Sequence, residues 1–266
     1  MTDAFGCPAD SPWPPKPFEL DQYASIFIPL KTVLICGGAG FLGKHLIFNL
    51  CDSISELQVI RIVDRQKLPA AFRVPAAINK TGVQLEEYTG DLQNPDDIKD
   101  AFTNVDAVIH LAETSEASDR INENVLQMMK EHHVRILVYT SSAMCNRKWR
   151  EVDNESEHEY DSVDDSEPLV LPSYGRSKLR SEWRIRALCR EWKDLRALCL
   201  RPTGLYGEGD FICISMMLLK AKSNKGNMVQ IGAGASPARI QRMYGGNCAW
   251  AHVLALRRMS LDSHSQ

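Results

Sequence analysis

Apolar positions change period several times along this chain, and each change marks an element. Thr32–Cys36 is a β-branched and aliphatic run, whereas Phe41–Leu50 sets Leu42, Leu46, Ile47 and Leu50 at helical spacing. Leu57–Val63 reads as a second strand closing on Asp64, and Val83–Tyr88 as a third. Asn94 reads as the cap of a short helix over Pro95–Phe102. A buried strand follows at Val105–Leu111, a helix at Asn122–His132 and a strand at Arg135–Thr140. A long helix from about Tyr174 to Trp192 and a strand at Arg196–Leu200 complete the series. Strands separated by helices in this rhythm predict an α/β fold, a doubly wound parallel sheet covered on both faces. On the long helix, Leu179, Trp183 and Ala187 are expected to face inward, with Arg176, Arg180 and Arg184 as a solvated stripe beside them. Phe211–Leu219 reads as a buried short helix, because no run reaches the roughly 18 apolar residues of a membrane span. His132 and His133 close their helix and read as surface residues facing its dipole.

Outside this rhythm lie two stretches of different character. Residues 1–30 gather Pro8, Pro12, Pro14, Pro15 and Pro17 with Asp3 and Asp10, which reads as a proline-rich extension and not a basic targeting sequence. Glu151–Glu167 holds nine acidic residues and reads as a solvated connection. Its segment Asp153–Glu157 lacks the glycine and the offsets of a calcium loop, and Asn154-Glu155-Ser156 matches a glycosylation acceptor without a secretory signal. The organisation expected is an extension (1–30), a dinucleotide-binding domain (31–203) and a partial substrate-binding region (204–266). A net charge of −3 gives no basic field for nucleic acid or an anionic membrane. The eight cysteines contain no C-x-x-C pair, which argues for a reducing compartment and against a zinc site, so no metal is expected.

Candidate chemistry begins where the first strand meets the first helix. Gly37, Gly40 and Gly43 recur at spacing three between them. Gly37 would permit the tight turn, Gly40 the approach of a pyrophosphate, and Gly43 the close packing of the helix that Phe41 and Leu42 open. The helix N-terminus offers unpaired N–H groups and a positive dipole end to phosphate. Asp64, at the end of the second strand, would accept hydrogen bonds from both ribose hydroxyls and repel a 2′-phosphate. NAD is therefore expected over NADP, with the adjacent Arg65 leaving some room for NADP.

A second constellation joins Tyr174 and Lys178, one helical turn apart, to the strand end Tyr139-Thr140-Ser141-Ser142. A phenol with a pKa of about 10 is ionised to roughly one part in a thousand at pH 7, a deficit of about 4 kcal/mol. A neighbouring ammonium and a bound nicotinamide would favour the phenolate, and Ser142 would orient the substrate oxygen.

With these residues the chain resembles an extended short-chain dehydrogenase/reductase, most closely the 3β-hydroxysteroid dehydrogenase/Δ5-isomerase branch. The resemblance covers about residues 31 to 260. It rests on the glycine turn, Gly90-Asp91-Leu92, His110-Leu111-Ala112, Leu137–Ser142 and Tyr174…Lys178. Leu200-Arg201-Pro202-Thr203-Gly204-Leu205-Tyr206-Gly207-Glu208-Gly209 and Tyr244–His252 tilt it toward the steroid branch. It implies an NAD(P)-binding Rossmann fold with a small, truncated C-terminal substrate-binding part. It also implies adenine contacts from Asp91 and Leu92, a cofactor channel lined by Ala112, and Pro202 near the nicotinamide. Ser142, Tyr174 and Lys178 would be the catalytic set, oxidising a 3β-hydroxyl of a steroid, and Tyr174 and Lys178 would also bind the cofactor. Alternative readings are a sugar-nucleotide epimerase or ketone reductase on the same scaffold, or an inactive NAD-binding protein. Cys36 stands where the family usually has Thr, and the segment between Ala112 and Asn124 is shorter than the family's. Related enzymes commonly pair, so a homodimer is expected. They also often associate with endoplasmic reticulum or mitochondrial membranes; here a cytoplasmic-side location is expected with no visible anchor.

Overall fold

Thr32–Cys36 (β1) carries apolar side chains on both of its faces, and the alternation sends them into two separate cores. Val33 and Ile35 pack with Ile60, Ile62, Ile109 and Val138; Leu34 and Cys36 pack with Val63, Val108, Leu137 and Tyr139. A strand buried on both sides requires helices above and below it, which parallel crossovers supply. The structure, a computed structural model, describes residues 28–70, 72, 82–112, 118–145, 171–211, 214–227 and 241–261. The remaining strands of the sheet are β2 (Val59–Asp64), β3 (Gln84–Thr89), β4 (Ala107–His110), β5 (Ile136–Thr140) and β6 (Arg196–Leu200). Their order is β3-β2-β1-β4-β5-β6, and every neighbouring pair is parallel. The order reverses between β1 and β4, and ligands of such sheets bind at the carboxyl ends of the strands beside such a switch point.

One face of the sheet is covered by α1 (Phe41–Ser53) and α6 (Gly245–Ser260), through Leu46, Ile47 and Leu50 and through Cys248, Ala249, Val253 and Leu256. The other is covered by α2 (Pro95–Ile98, continued by a 3₁₀ turn to Phe102), α3 (Ser118–Glu131) and α4 (Pro172–Glu191). Ile98, Phe102, Val125, Met129 and Ile185 fill that layer. Asn94 caps α2 as expected, its side chain accepting the Asp96 N–H at 3.3 Å. Arg196 holds the end of α6 to the sheet by donating to the carbonyls of Met259 and Leu261 at 3.2 and 2.8 Å. A two-stranded parallel pair, β7 (Gly204–Tyr206) and β8 (Arg242–Tyr244), leads into α6.

Four expectations need correction. α5 (Ile214–Ser223) is a helix, but none of its residues is buried; Met216 and Leu218 are 58% and 65% exposed. Its apolar residues run all round the helix, a pattern that periodicity reads as interior. Asp210 anchors only its first turn, through the Ile214 N–H and the Ser215 hydroxyl, and no core among the described residues includes it. On α4, Trp183 and Ala187 face outward, and the inward face is Lys178, Leu179, Ser181, Glu182 and Ile185. Polar groups take the interior there because each has a hydrogen-bond partner, which removes most of the cost of burying them. Nor is the basic stripe simply solvated: Arg180 and Arg184 lie 3.3 and 2.9 Å from Asp119 and Glu123 of α3. These half-exposed pairs are each worth at most about 1 kcal/mol. His132 is half-buried against Phe102 and His133 is exposed at a positive φ. The proline-rich stretch before residue 28, the acidic segment 151–167 with Asn154, and residues 113–117 of the shortened segment lie outside the described residues. Among the described residues no helix is long and apolar enough to cross a membrane.

Candidate functional site

The glycine turn is built by close approaches that side chains would block. Gly37 leaves β1 at φ +84°, its N–H donating to the Val63 carbonyl at 2.8 Å. A Cβ at Gly37 would lie 2.8 Å from the Cβ and N of Ala112, so the turn and the chain leaving β4 touch directly. Half-buried Ala112 is fixed there by its own N–H on the Cys36 carbonyl at 3.0 Å. A Cβ at Gly43 would run into the Gly38 carbonyl, so the start of α1 packs on the turn itself. Gly40 caps α1 without a side-chain hydrogen bond, and a Cβ there would meet only the Gly37 oxygen at 3.4 Å. A helix start left open in this way presents N–H groups and dipole to an anion. Leu42 is buried in the core below, while Phe41 lies edge-on to His45.

Asp64 flanks this turn. Its Oδ2 accepts the Ala39 N–H at 3.1 Å and its Oδ1 accepts the Gln66 N–H at 3.1 Å. Burial first, and then the Asp64 charge, push the Cys36 thiol well above its ordinary range. Cys36 is thus an uncharged core residue. Asp91 is half-buried and accepts the Gln93 N–H at 2.9 Å. The Leu92 side chain packs in the second core, and its carbonyl accepts from the Asn124 amide at 2.9 Å.

The second cluster gathers at the end of β5. Lys178 is 3% exposed; its ammonium donates to the Thr140 carbonyl at 2.6 Å and lies 5.0 Å from the Tyr139 ring centre and 5.8 Å from that of Tyr174. Ser142, two residues beyond Thr140, is buried, with its hydroxyl accepting the Met144 N–H at 3.2 Å. Buried Pro202 accepts the Ala143 N–H at 2.9 Å, joining the chain after β6 to the Ser142 loop. The predicted phenol, ammonium and hydroxyl therefore share one end of the sheet, on the same edge as the glycine turn and Asp64.

Several supporting groups escaped the sequence reading. Thr140 meets His252 of α6 at 2.6 Å; because the His252 Nδ1 can only donate to the Cys248 carbonyl at 2.7 Å, its Nε2 accepts the Thr140 hydroxyl. Burial lowers the His252 pKa, keeping this ring neutral. Glu182, one turn beyond Lys178, receives Arg201 in two bonds of 2.8 and 2.6 Å. That hydrogen bonding raises the Arg201 pKa. The family resemblance ran through Arg201 and His252, but only their partners across the sheet reveal what they hold.

The sequence profile of the 3-beta hydroxysteroid dehydrogenase/isomerase family matches residues 34–266. The chain is 30% identical over 244 residues to a sterol-4-alpha-carboxylate 3-dehydrogenase (decarboxylating) of Saccharomyces cerevisiae, covering 86% of this chain and 66% of that protein. It is 28% identical over 249 residues to a 3 beta-hydroxysteroid dehydrogenase/Delta 5→4-isomerase of Vaccinia virus (strain Ankara), covering 86% and 67%. The chain thus spans about two thirds of the length of these relatives. Among solved structures, the UDP-glucose 4-epimerase of Bifidobacterium longum in complex with NAD+ and UDP superposes with a TM-score of 0.62 at 20% identity, over 84% of this chain and 72% of that one. At that identity the likeness shows the shared fold.

Proposed function

Because this chain belongs to the 3-beta hydroxysteroid dehydrogenase/isomerase family, we propose that it is an NAD-dependent oxidoreductase of the steroid and sterol type, oxidising a 3β-hydroxyl group with Tyr174 as general base. The observation that carries this reading is the buried Lys178 ammonium, tied to the Thr140 carbonyl and set beside the Tyr174 ring. A cation held there favours a phenolate over a phenol.

The cradle at the first crossover fits a dinucleotide: a left-handed glycine, a helix start free of side-chain caps, and a carboxylate at the neighbouring strand end. NAD held by Gly37, Gly40, Gly43 and Asp64 would supply the hydride acceptor. Leu42, Phe41 and Ala112 would border it, with Asp91 and Leu92 toward the adenine and Pro202 toward the nicotinamide. Asp64, carrying one negative charge on the ribose side, favours NAD over NADP. Ser142 would donate to the substrate oxygen and orient it. The Tyr174 oxygen would take the hydroxyl proton, and Lys178 would stabilise the charge that Tyr174 carries before that transfer.

A steady-state assay tests this directly. NAD-dependent turnover is expected with a 3β-hydroxysteroid such as dehydroepiandrosterone or pregnenolone, and none with UDP-galactose. Turnover of the sugar nucleotide alone would replace the steroid reading by an epimerase on the same scaffold.

A further inference from the structure

Beside the Tyr174/Lys178 pair runs a buried polar chain that the proposed mechanism leaves unused. It starts at His110, the last residue of β4 and only 2% exposed. The His110 Nε2 lies 2.8 Å from Asn122 Oδ1 on α3; the Asn122 amide nitrogen lies 2.7 Å from Ser181 Oγ on α4; and Ser181 lies 3.0 Å from the carbonyl of Ser177. The direction of this chain is fixed by its far end. A carbonyl can only accept, so the Ser181 hydroxyl proton is spent on Ser177. Ser181 must then accept from the Asn122 NH₂, which leaves the Asn122 oxygen to accept from His110. The imidazole therefore carries its proton on Nε2, and its Nδ1 is a buried lone pair without a partner among the described residues. Burial first, and then the nearby Lys178 charge, push the His110 pKa down to about 3.

We propose that His110 is a positioning residue for the Tyr174/Lys178 pair, acting through Asn122 and Ser181. The chain ends on Ser177, the residue before Lys178 on the first turns of α4, and so ties that stretch of helix to β4 across α3. Side chains that stack on one helix can rotate together by a fraction of an ångström, and a buried hydrogen-bonded chain removes that freedom. It also does so without charge. A protonated ring beside Lys178 would add a second cation to a site that needs one.

The inference rests on the proposed dehydrogenase reading, and two kinds of experiment separate their failures. His110→Gln keeps an amide N–H near the position of Nε2, whereas His110→Leu removes the donor. His110→Leu is expected to lower kcat by about tenfold with KM for steroid and NAD nearly unchanged, the signature of a displaced reacting group. His110→Gln should restore most of that loss. Ser181→Ala breaks the same chain two bonds away and should match the Leu variant, including where the Leu variant fails to accumulate folded. In a His110→Leu/Ser181→Ala double variant the two effects should not add, since both cut one chain. Equal turnover of the Gln and Leu variants, or additive losses, overturns the proposal. A wild-type chain without turnover refutes the proposed function instead; the ¹⁵N spectrum of His110 then decides the positioning claim alone. A neutral Nε2–H ring at pH 7 supports it, and an Nδ1–H or a charged ring overturns it.

Discussion

Tyr174→Phe should reduce NAD-dependent oxidation by about 10²–10⁴-fold, the usual worth of a positioned general base. The cause lies in one atom. Phe keeps the ring and its place 5.8 Å from the Lys178 ammonium, but it has no oxygen to receive the hydroxyl proton. Since the glycine turn and Asp64 are untouched by the change, affinity for NAD should stay within about twofold, so the loss falls on kcat rather than on cofactor binding. Stopped-flow measurement of NADH formation, run beside a binding titration, separates the two quantities. Retention of most of the turnover would remove Tyr174 from the role of base and move the search to another group near Ser142.

The second large effect concerns stability. Glu182 is 2% exposed and holds Arg201 through two short bonds, locking α4 to the chain leaving β6. Glu182→Ala strands a partly buried guanidinium, and breaking such a pair from one side costs about 3–5 kcal/mol. Arg201 keeps some contact with solvent, which favours the lower end of that range. For a chain of this size, about 3 kcal/mol corresponds to a fall in Tm of roughly 6–12 °C. Removing both partners together, as Glu182→Met with Arg201→Met, should cost less than Glu182→Ala alone, because no charge is left behind. A double variant less stable than the single one would mean that the pair is not coupled as its geometry implies. Differential scanning calorimetry on the three variants decides the point.

These two sites differ in how visible they are in the chain. The first strand–turn–helix crossover was legible almost to the residue, because β1 runs over Thr32–Cys36 as expected and Gly37 is left-handed for a reason that sequence spacing encodes. Strand identities along the sheet were equally readable, with ends shifted by no more than two residues. At the Tyr174/Lys178 end the residue types were visible and their support was not. Helix α4 turns a polar face inward because Lys178, Ser181 and Glu182 meet Thr140, Asn122 and Arg201, partners distant in sequence that hydropathy does not record. The same blindness placed Trp183 and Ala187 inside. At α5 the failure ran the other way: an apolar run says that a helix belongs in contact with something, not where.

One measurement bears most directly on the anchoring of a nicotinamide dinucleotide at the Gly37–Gly43 turn: a calorimetric titration of the folded chain with NADH and with NADPH. Expected is one molecule of NADH per chain at a Kd of about micromolar order, some 8 kcal/mol of binding free energy, with NADPH clearly weaker if Asp64 faces the 2′-phosphate as proposed. Heat-silent titrations of well-folded protein with both NADH and NAD, and no displacement signal in fluorescence, would contradict the cofactor, the base and the reaction together.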